Sequence, residues 1–82
     1  MSASDRKKIA QKLQKNGFVY KPHSESFDKT DKCIRVYFYE DGTDIRVIRF
    51  TDMKSQVISE EHTIDYAMGI DRTVAVINLI AG

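Results

Sequence analysis

Residues 33–50, CIRVYFYEDGTDIRVIRF, constrain the fold of this chain more than any other stretch. Asp41-Gly42 lies midway between two runs rich in β-branched and aromatic residues. A two-residue hairpin turn of type I′ needs positive φ at both central positions, which Asp-Gly tolerates. With these two as the loop, Phe38 lies opposite Ile45, Val36 opposite Val47 and Tyr37 opposite Arg46. That register sorts the side chains onto two faces. One face carries Ile34, Val36, Phe38, Ile45 and Val47, and the other Arg35, Tyr37, Tyr39, Arg46, Ile48 and Phe50. Neither is a plain polar face, so both require cover.

The flanking segments supply candidate covers. Residues 5–16 read as a helix, with Ser4 as N-cap and Asp5 in the first turn, where a carboxylate meets the positive end of the helix dipole. Ile9, Ala10 and Leu13 share one side at helical spacing, and Lys8, Lys12 and Lys15 share the opposite side. Asn16-Gly17 ends the helix, and Phe18-Val19 opens a strand or return loop. Residues 21–32, KPHSESFDKTDK, read as an exposed loop with a short strand near Phe27. Residues 59–69 carry helix punctuation: Ser59 as cap, Glu60 and Glu61 in the first turn, Gly69 as stop, and Ile64, Ala67 and Met68 as an apolar side. Ile70, Val74, Ile77 and Ala81 repeat at three to four residues, which predicts a helix over 70–81 with Asp71 near its cap. The β-branched run from Thr73 to Ile77 also permits a strand. The expected fold is α+β: an N-terminal helix, an antiparallel sheet of three to four strands and a C-terminal helical segment, α-β-β-β-α in outline.

A chain of 82 residues forms one domain with a small core. Its single cysteine, Cys33, has no internal partner for a disulfide, which favours a reducing compartment or stabilisation by oligomerisation. No apolar run approaches the roughly 18 residues of a membrane span, and the start MSASDRKKIAQKLQK lacks the apolar core of a secretory signal. A cytoplasmic location without membrane partners is expected. Net charge is +1, but its distribution is uneven. Residues 1–32 hold eight Lys/Arg and four Asp/Glu, whereas residues 57–82 hold one Arg and four acids.

Catalytic patterns are weak. His23 and His62 are far apart and lack neighbours at metal-ligand spacing, so surface histidines are the simpler reading, and no metal or cofactor is expected. Cys33 opens a strand and reads as a small semi-buried apolar residue. Neither a Ser-His-Asp order nor a Gly-rich phosphate loop is present. The arginines are more informative. Arg35, Arg46 and Arg49 interleave with Tyr37 and Tyr39, a mixture that pairs with phosphates and stacks on unpaired bases. The same mixture also suits a protein interface.

Three stretches carry family resemblances. KLQKNGFVYK, residues 12–21, resembles the opening of the C-terminal double-wing domain of the MotA transcription factors of T4-type phages, where a helix leads through a similar turn into a strand. The closing VAVINLIAG is loosely similar to the last helix of that domain. The resemblance implies a phage-type protein that binds nucleic acid and assigns no residue roles. Small RNA-binding counter-defence proteins of such phages, the TifA-like inhibitors of toxin–antitoxin systems, are a further class that a chain of this kind fits. GFVYKPHSES is similar to a segment of the HicA-type ribonuclease toxins, which carry a catalytic histidine on a strand. Here His23 follows Pro22 in a polar loop, and the second histidine of the usual patch is missing.

These features predict a non-enzymatic, homodimeric nucleic-acid-binding protein, with RNA preferred to DNA. Lys8, Lys12 and Lys15 are the expected phosphate contacts, and Arg35, Tyr37, Arg46 and Arg49 the expected sheet-face contacts. Apolar surface left on the second sheet face is the reason to expect a second copy. A protein-binding inhibitor or accessory subunit, docking on a partner such as a host protein through its sheet edge or apolar C-terminal segment, is the alternative, and the acidic end with Glu60, Glu61, Asp65 and Asp71 suits it. A small ribonuclease using His23 is the third reading.

Overall fold

The computed structural model describes residues 2–39 and 44–82. Its elements in chain order are helix α1 (Ala3–Lys15), strands β1 (Val19–Lys21), β2 (Ser26–Lys29), β3 (Ile34–Phe38), β4 (Asp44–Phe50) and β5 (Ile58–Asp65), and helix α2 (Ile70–Ala81). The strands form one antiparallel sheet in the order β1-β2-β3-β4-β5, so strands adjacent in the sheet are consecutive in the chain. The fold is α+β, with five strands where the sequence pattern predicts three or four.

The central hairpin has the expected register. Tyr37 pairs with Arg46, Phe38 with Ile45 and Val36 with Val47. The Asp41-Gly42 turn lies outside the described residues. Ile34, Val36, Ile45 and Val47 face the helices and are fully buried. They meet Ile9 and Leu13 of α1 and Val74, Ile77 and Ala81 of α2, with Phe18, Phe27 and Ile64 completing the core. Burial of each such side chain is worth about 1.5–3 kcal/mol. Both helices therefore lie on one face of the sheet.

Local differences from the sequence reading have simple causes. The cap of α1 is Ser2 rather than Ser4, its hydroxyl accepting from the Asp5 amide at 3.1 Å, because Ala3 already favours the helix. Phe27 does mark a strand, β2, but a four-residue one that pairs on both sides. The largest difference is at residues 59–69. The segment read as a capped helix forms β5, followed by a short 3-10 turn at Tyr66–Met68. Strand pairing satisfies the outer backbone groups of β4, and Ile64 enters the core opposite Ile45. The two glutamates that mimic a first helical turn instead pair across strands, Glu60 with Arg49 and Glu61 with Arg46, each at 2.6 Å. The 70–81 helix is present, with Gly69 at its cap position and Asp71 in its first turn.

Helix α1 crosses the sheet obliquely. Its C-terminal end turns directly into β1, where the Phe18 amide donates to the Leu13 carbonyl at 3.0 Å. Its N-terminal half reaches β3, where Arg6 lies 5.7 Å from the Phe38 ring centre and donates to the Tyr39 carbonyl at 3.4 Å. The corner between that half and the β1–β2 turn is left partly open.

The hydrogen bond from His62, and then that from Arg49, hold the Glu60 carboxyl below its ordinary value of 4.5. Arg46 does the same for Glu61. A carboxylate with a depressed folded pKa stabilises the fold above its unfolded pKa, and that contribution is lost as pH falls through the folded value. The thermal midpoint followed by circular dichroism should therefore drop as pH is lowered below about 4.5. The Glu60→Gln, Glu61→Gln double variant should show a shallower acid slope.

Candidate nucleic-acid interface

The seven residues nominated by the sequence separate into three environments. Lys8, Lys12 and Lys15 are exposed on the outer side of α1, together with Lys7. Lys12 approaches Asp71 at 3.5 Å with both side chains well solvated, a contact worth at most about 1 kcal/mol. Lys7, Lys8 and Lys15 form no ion pair among the described residues. Gln11, Lys12, Gln14 and Lys15 border a shallow depression along the helix. This face is cationic and free to exchange its counterions.

Arg35, Tyr37 and Arg46 lie on the sheet face away from the helices. Arg35 is not presented to solvent. Its Nε and one terminal nitrogen donate to the two carboxylate oxygens of Asp28, both at 2.9 Å, and the side chains are 11% and 2% exposed. The guanidinium also lies 5.3 Å from the Phe50 ring centre and 6.0 Å from that of Tyr37. The hydrogen bond to Asp28 is the main cause that raises its pKa above the ordinary arginine value. Ser26 donates to the same carboxylate at 3.0 Å and shares a 2.6 Å hydrogen bond with Ser24. Arg46 is half-buried, pairs with Glu61 and remains partly accessible. Around it, Tyr37, Tyr39, Ile48, Phe50 and Ile58 border a depression of about 460 Å³. Ile48 and Phe50 are only 3% and 6% exposed within the single chain.

Arg49 is on the other face. It pairs with Glu60, donates to the Lys32 carbonyl at 2.9 Å and donates to the Ile80 carbonyl at 2.5 Å, in the last turn of α2. A basic side chain on the final carbonyls of a helix fastens that end to the sheet. Arg49 is thus a brace between layers, and the expected grouping of three arginines on one surface does not form.

The open corner beside α1 holds residues that the sequence pattern did not single out. Tyr20, Phe27 and Phe38 line a cavity of about 320 Å³ with Arg6, Ala10 and Glu25. Tyr20 and Phe27 are tilted with ring centres 5.2 Å apart, and Phe27 meets Phe38 edge-on at 5.7 Å. The signal for this cluster was the spacing of Tyr20 and Phe27 about the 22–25 turn, which places them opposite each other once the loop is read as a hairpin.

His23 lies exposed in the β1–β2 turn, whereas His62 bonds Glu60 at 3.0 Å on β5, at the far edge of the sheet. The two histidines do not come together. Among the described residues no cluster of three His, Cys, Asp or Glu side chains could hold a metal ion, and no helix is long and apolar enough to cross a membrane. By its architecture the chain is a two-layer α+β protein, with a five-stranded meander under a helix pair. No family model, characterised protein or solved structure matches it.

Asp28→Ala would leave the Arg35 charge buried and unpaired, and should cost about 3–5 kcal/mol. Arg46→Ala removes a partly solvated pair and should cost less than about 1 kcal/mol. Urea unfolding followed by circular dichroism measures both. Equal costs would remove the distinction drawn between the two pairs.

Proposed function

We propose that this is a non-enzymatic nucleic-acid-binding protein that takes RNA in preference to DNA, uses α1 as its phosphate-contacting element and acts as a homodimer in the cytoplasm. The observation that carries this reading is the uneven use of basic residues. Arg35, Arg46 and Arg49 are each paired with a carboxylate, whereas Lys7, Lys8 and Lys15 on α1 have no such partner among the described residues. Helix α1 carries five basic residues and one acid. Such a stripe releases counterions when phosphates replace them. The aromatic corner, reached past Lys7 on the other side of α1, favours single strands, because unpaired bases can stack there and duplex bases cannot. The sheet's other face serves the second copy: Tyr39 and Ile58, 38% and 46% exposed, border its apolar depression. Tyr37 and Arg46 then belong to the dimer interface.

A second reading has its own observation. β5 is an eight-residue edge strand with no further strand beside it among the described residues, and it carries Glu60, Glu61 and Asp65. An extended segment of another protein could add to that edge, as an inhibitor or accessory subunit would require.

Replacing Lys8, Lys12 and Lys15 together by Ala should weaken RNA binding similarly for all sequences and reduce the slope of log affinity against log salt by about two to three units. Folding stability should move by less than about 0.5 kcal/mol, since the sites are exposed and Ala favours helix. Fluorescence anisotropy across a salt series measures the slope. An unchanged slope would leave the lysines as a solvated helix face and favour the protein-partner reading.

Light scattering at micromolar concentration should give twice the chain mass for the wild type and a shift towards the chain mass for Ile58→Asp. A wild-type monomer at high micromolar concentration would remove the dimer from the proposal.

A further inference from the structure

We infer that the open corner between α1 and the β1–β2 turn is a guanine-binding pocket. This deepens the RNA-binding reading, on which it rests, by naming the base that the protein takes from the strand. The cavity, about 320 Å³, is at the small end of ligand sites and suits one ring system. Its walls are Tyr20, Phe27 and Phe38, and Tyr20 is 43% exposed, so its ring is available to stack. Two opposite charges complete it. Arg6 lines the pocket and supplies donors from its terminal nitrogens, one of which makes only a long bond, 3.4 Å, to the Tyr39 carbonyl. Glu25 supplies a carboxylate, and no ion pair links it to Arg6 among the described residues. Its backbone holds φ at 51°, a region where glycine or asparagine is easier, so the side chain is kept at a conformational cost.

The pairing of charges selects the base. Guanine presents two adjacent donors, N1–H and the N2 amino group, that a single carboxylate accepts together. The O6 and N7 acceptors on its other edge match a guanidinium. Adenine, cytosine and uracil each place an acceptor beside a donor on the Watson–Crick edge, which sets a lone pair against the Glu25 carboxylate. Arg6 and Ala10 place the pocket on the side of α1 opposite Lys8, Lys12 and Lys15, at the edge where Lys7 lies. Lys7 and Gln14 lie three and four residues from Ala10 and therefore flank it on the helix surface. A strand held by α1 can turn one base into the corner.

The test uses the full chain, first with free nucleotides. In amide NMR spectra, GMP should produce saturable shifts at Ala10, Tyr20, Phe27 and Phe38, with AMP, CMP and UMP at least about tenfold weaker. Tyr20→Ala should remove the response to all four. Glu25→Gln, which keeps size and changes one acceptor to a donor, should abolish the preference for GMP while retaining weak stacking. An unchanged wild-type spectrum with GMP, or an unchanged preference in folded Glu25→Gln, would overturn the inference. The second arm uses octauridine with and without one guanosine. Tighter binding of the guanosine strand, lost in Glu25→Gln, assigns the base to RNA, whereas a GMP response with no such preference assigns the pocket to a free guanine nucleotide. RNA binding that keeps its salt slope while GMP produces no shift would overturn the pocket and leave the α1 reading standing.

Discussion

The Asp28–Arg35 ion pair determines how this small chain manages a sheet with only one layer of helices. A single layer leaves the other face of β2, β3 and β4 without a helical cover, and part of it is covered by its own side chains. Two parallel hydrogen bonds join β2 to β3 across that face, and Phe50 from β4 stacks on the guanidinium. Ser26 fills a further acceptor site of the carboxylate. Charge, hydrogen bonds and ring contacts thus fit together at one end of that face, and each strand of the centre contributes a part. A bidentate arginine–carboxylate pair fixes geometry as well as energy. The strongest cation on that surface is therefore held by the fold, which is why the free positive charge is found elsewhere.

The charges of the protein consequently segregate. Towards the end of the meander, Glu60 and Glu61 neutralise Arg49 and Arg46. Towards its start, the α1 lysines lie beyond the reach of those acids, with only the loose Lys12–Asp71 contact between the helices. The nearly balanced total charge conceals a molecule with one cationic side. The aromatic corner opens on the other side of α1 from Lys8, Lys12 and Lys15, where Arg6 and Ala10 leave the β1–β2 turn partly uncovered.

Much of the architecture was legible in the residues. The alternation through 33–50 gave the register and the faces, and the 3.6-residue repeats gave both helices. What failed did so for identifiable reasons. Ser59, Glu60, Glu61 and Gly69 copy the punctuation of a helix, and only the presence of Arg46 and Arg49 across the sheet turns those acids into strand partners. Asp28 sits in a polar run that reads as loop, so the partner of Arg35 was invisible until Ser26–Lys29 paired with β3. Arg49 belongs by alternation with Ile45 and Val47 on the helix-facing side, a placement that grouping by residue type obscured. Of the seven nominated contacts, the lysines are where their spacing put them. The arginines could not be judged without knowing which carboxylates they meet.

The meander order has a consequence for how the chain assembles. Each strand pairs with its predecessor, so the sheet can grow hairpin by hairpin with short loops closed at each step. Loop closure of this kind is entropically cheap, whereas joining the two termini is not. The contact of α1 with α2 spans nearly the whole chain, and the Arg49 bond to Ile80 bridges 31 residues. The entropic cost of closure is therefore concentrated in the helix layer, and α2 is the piece that locks a sheet whose strands pair in chain order.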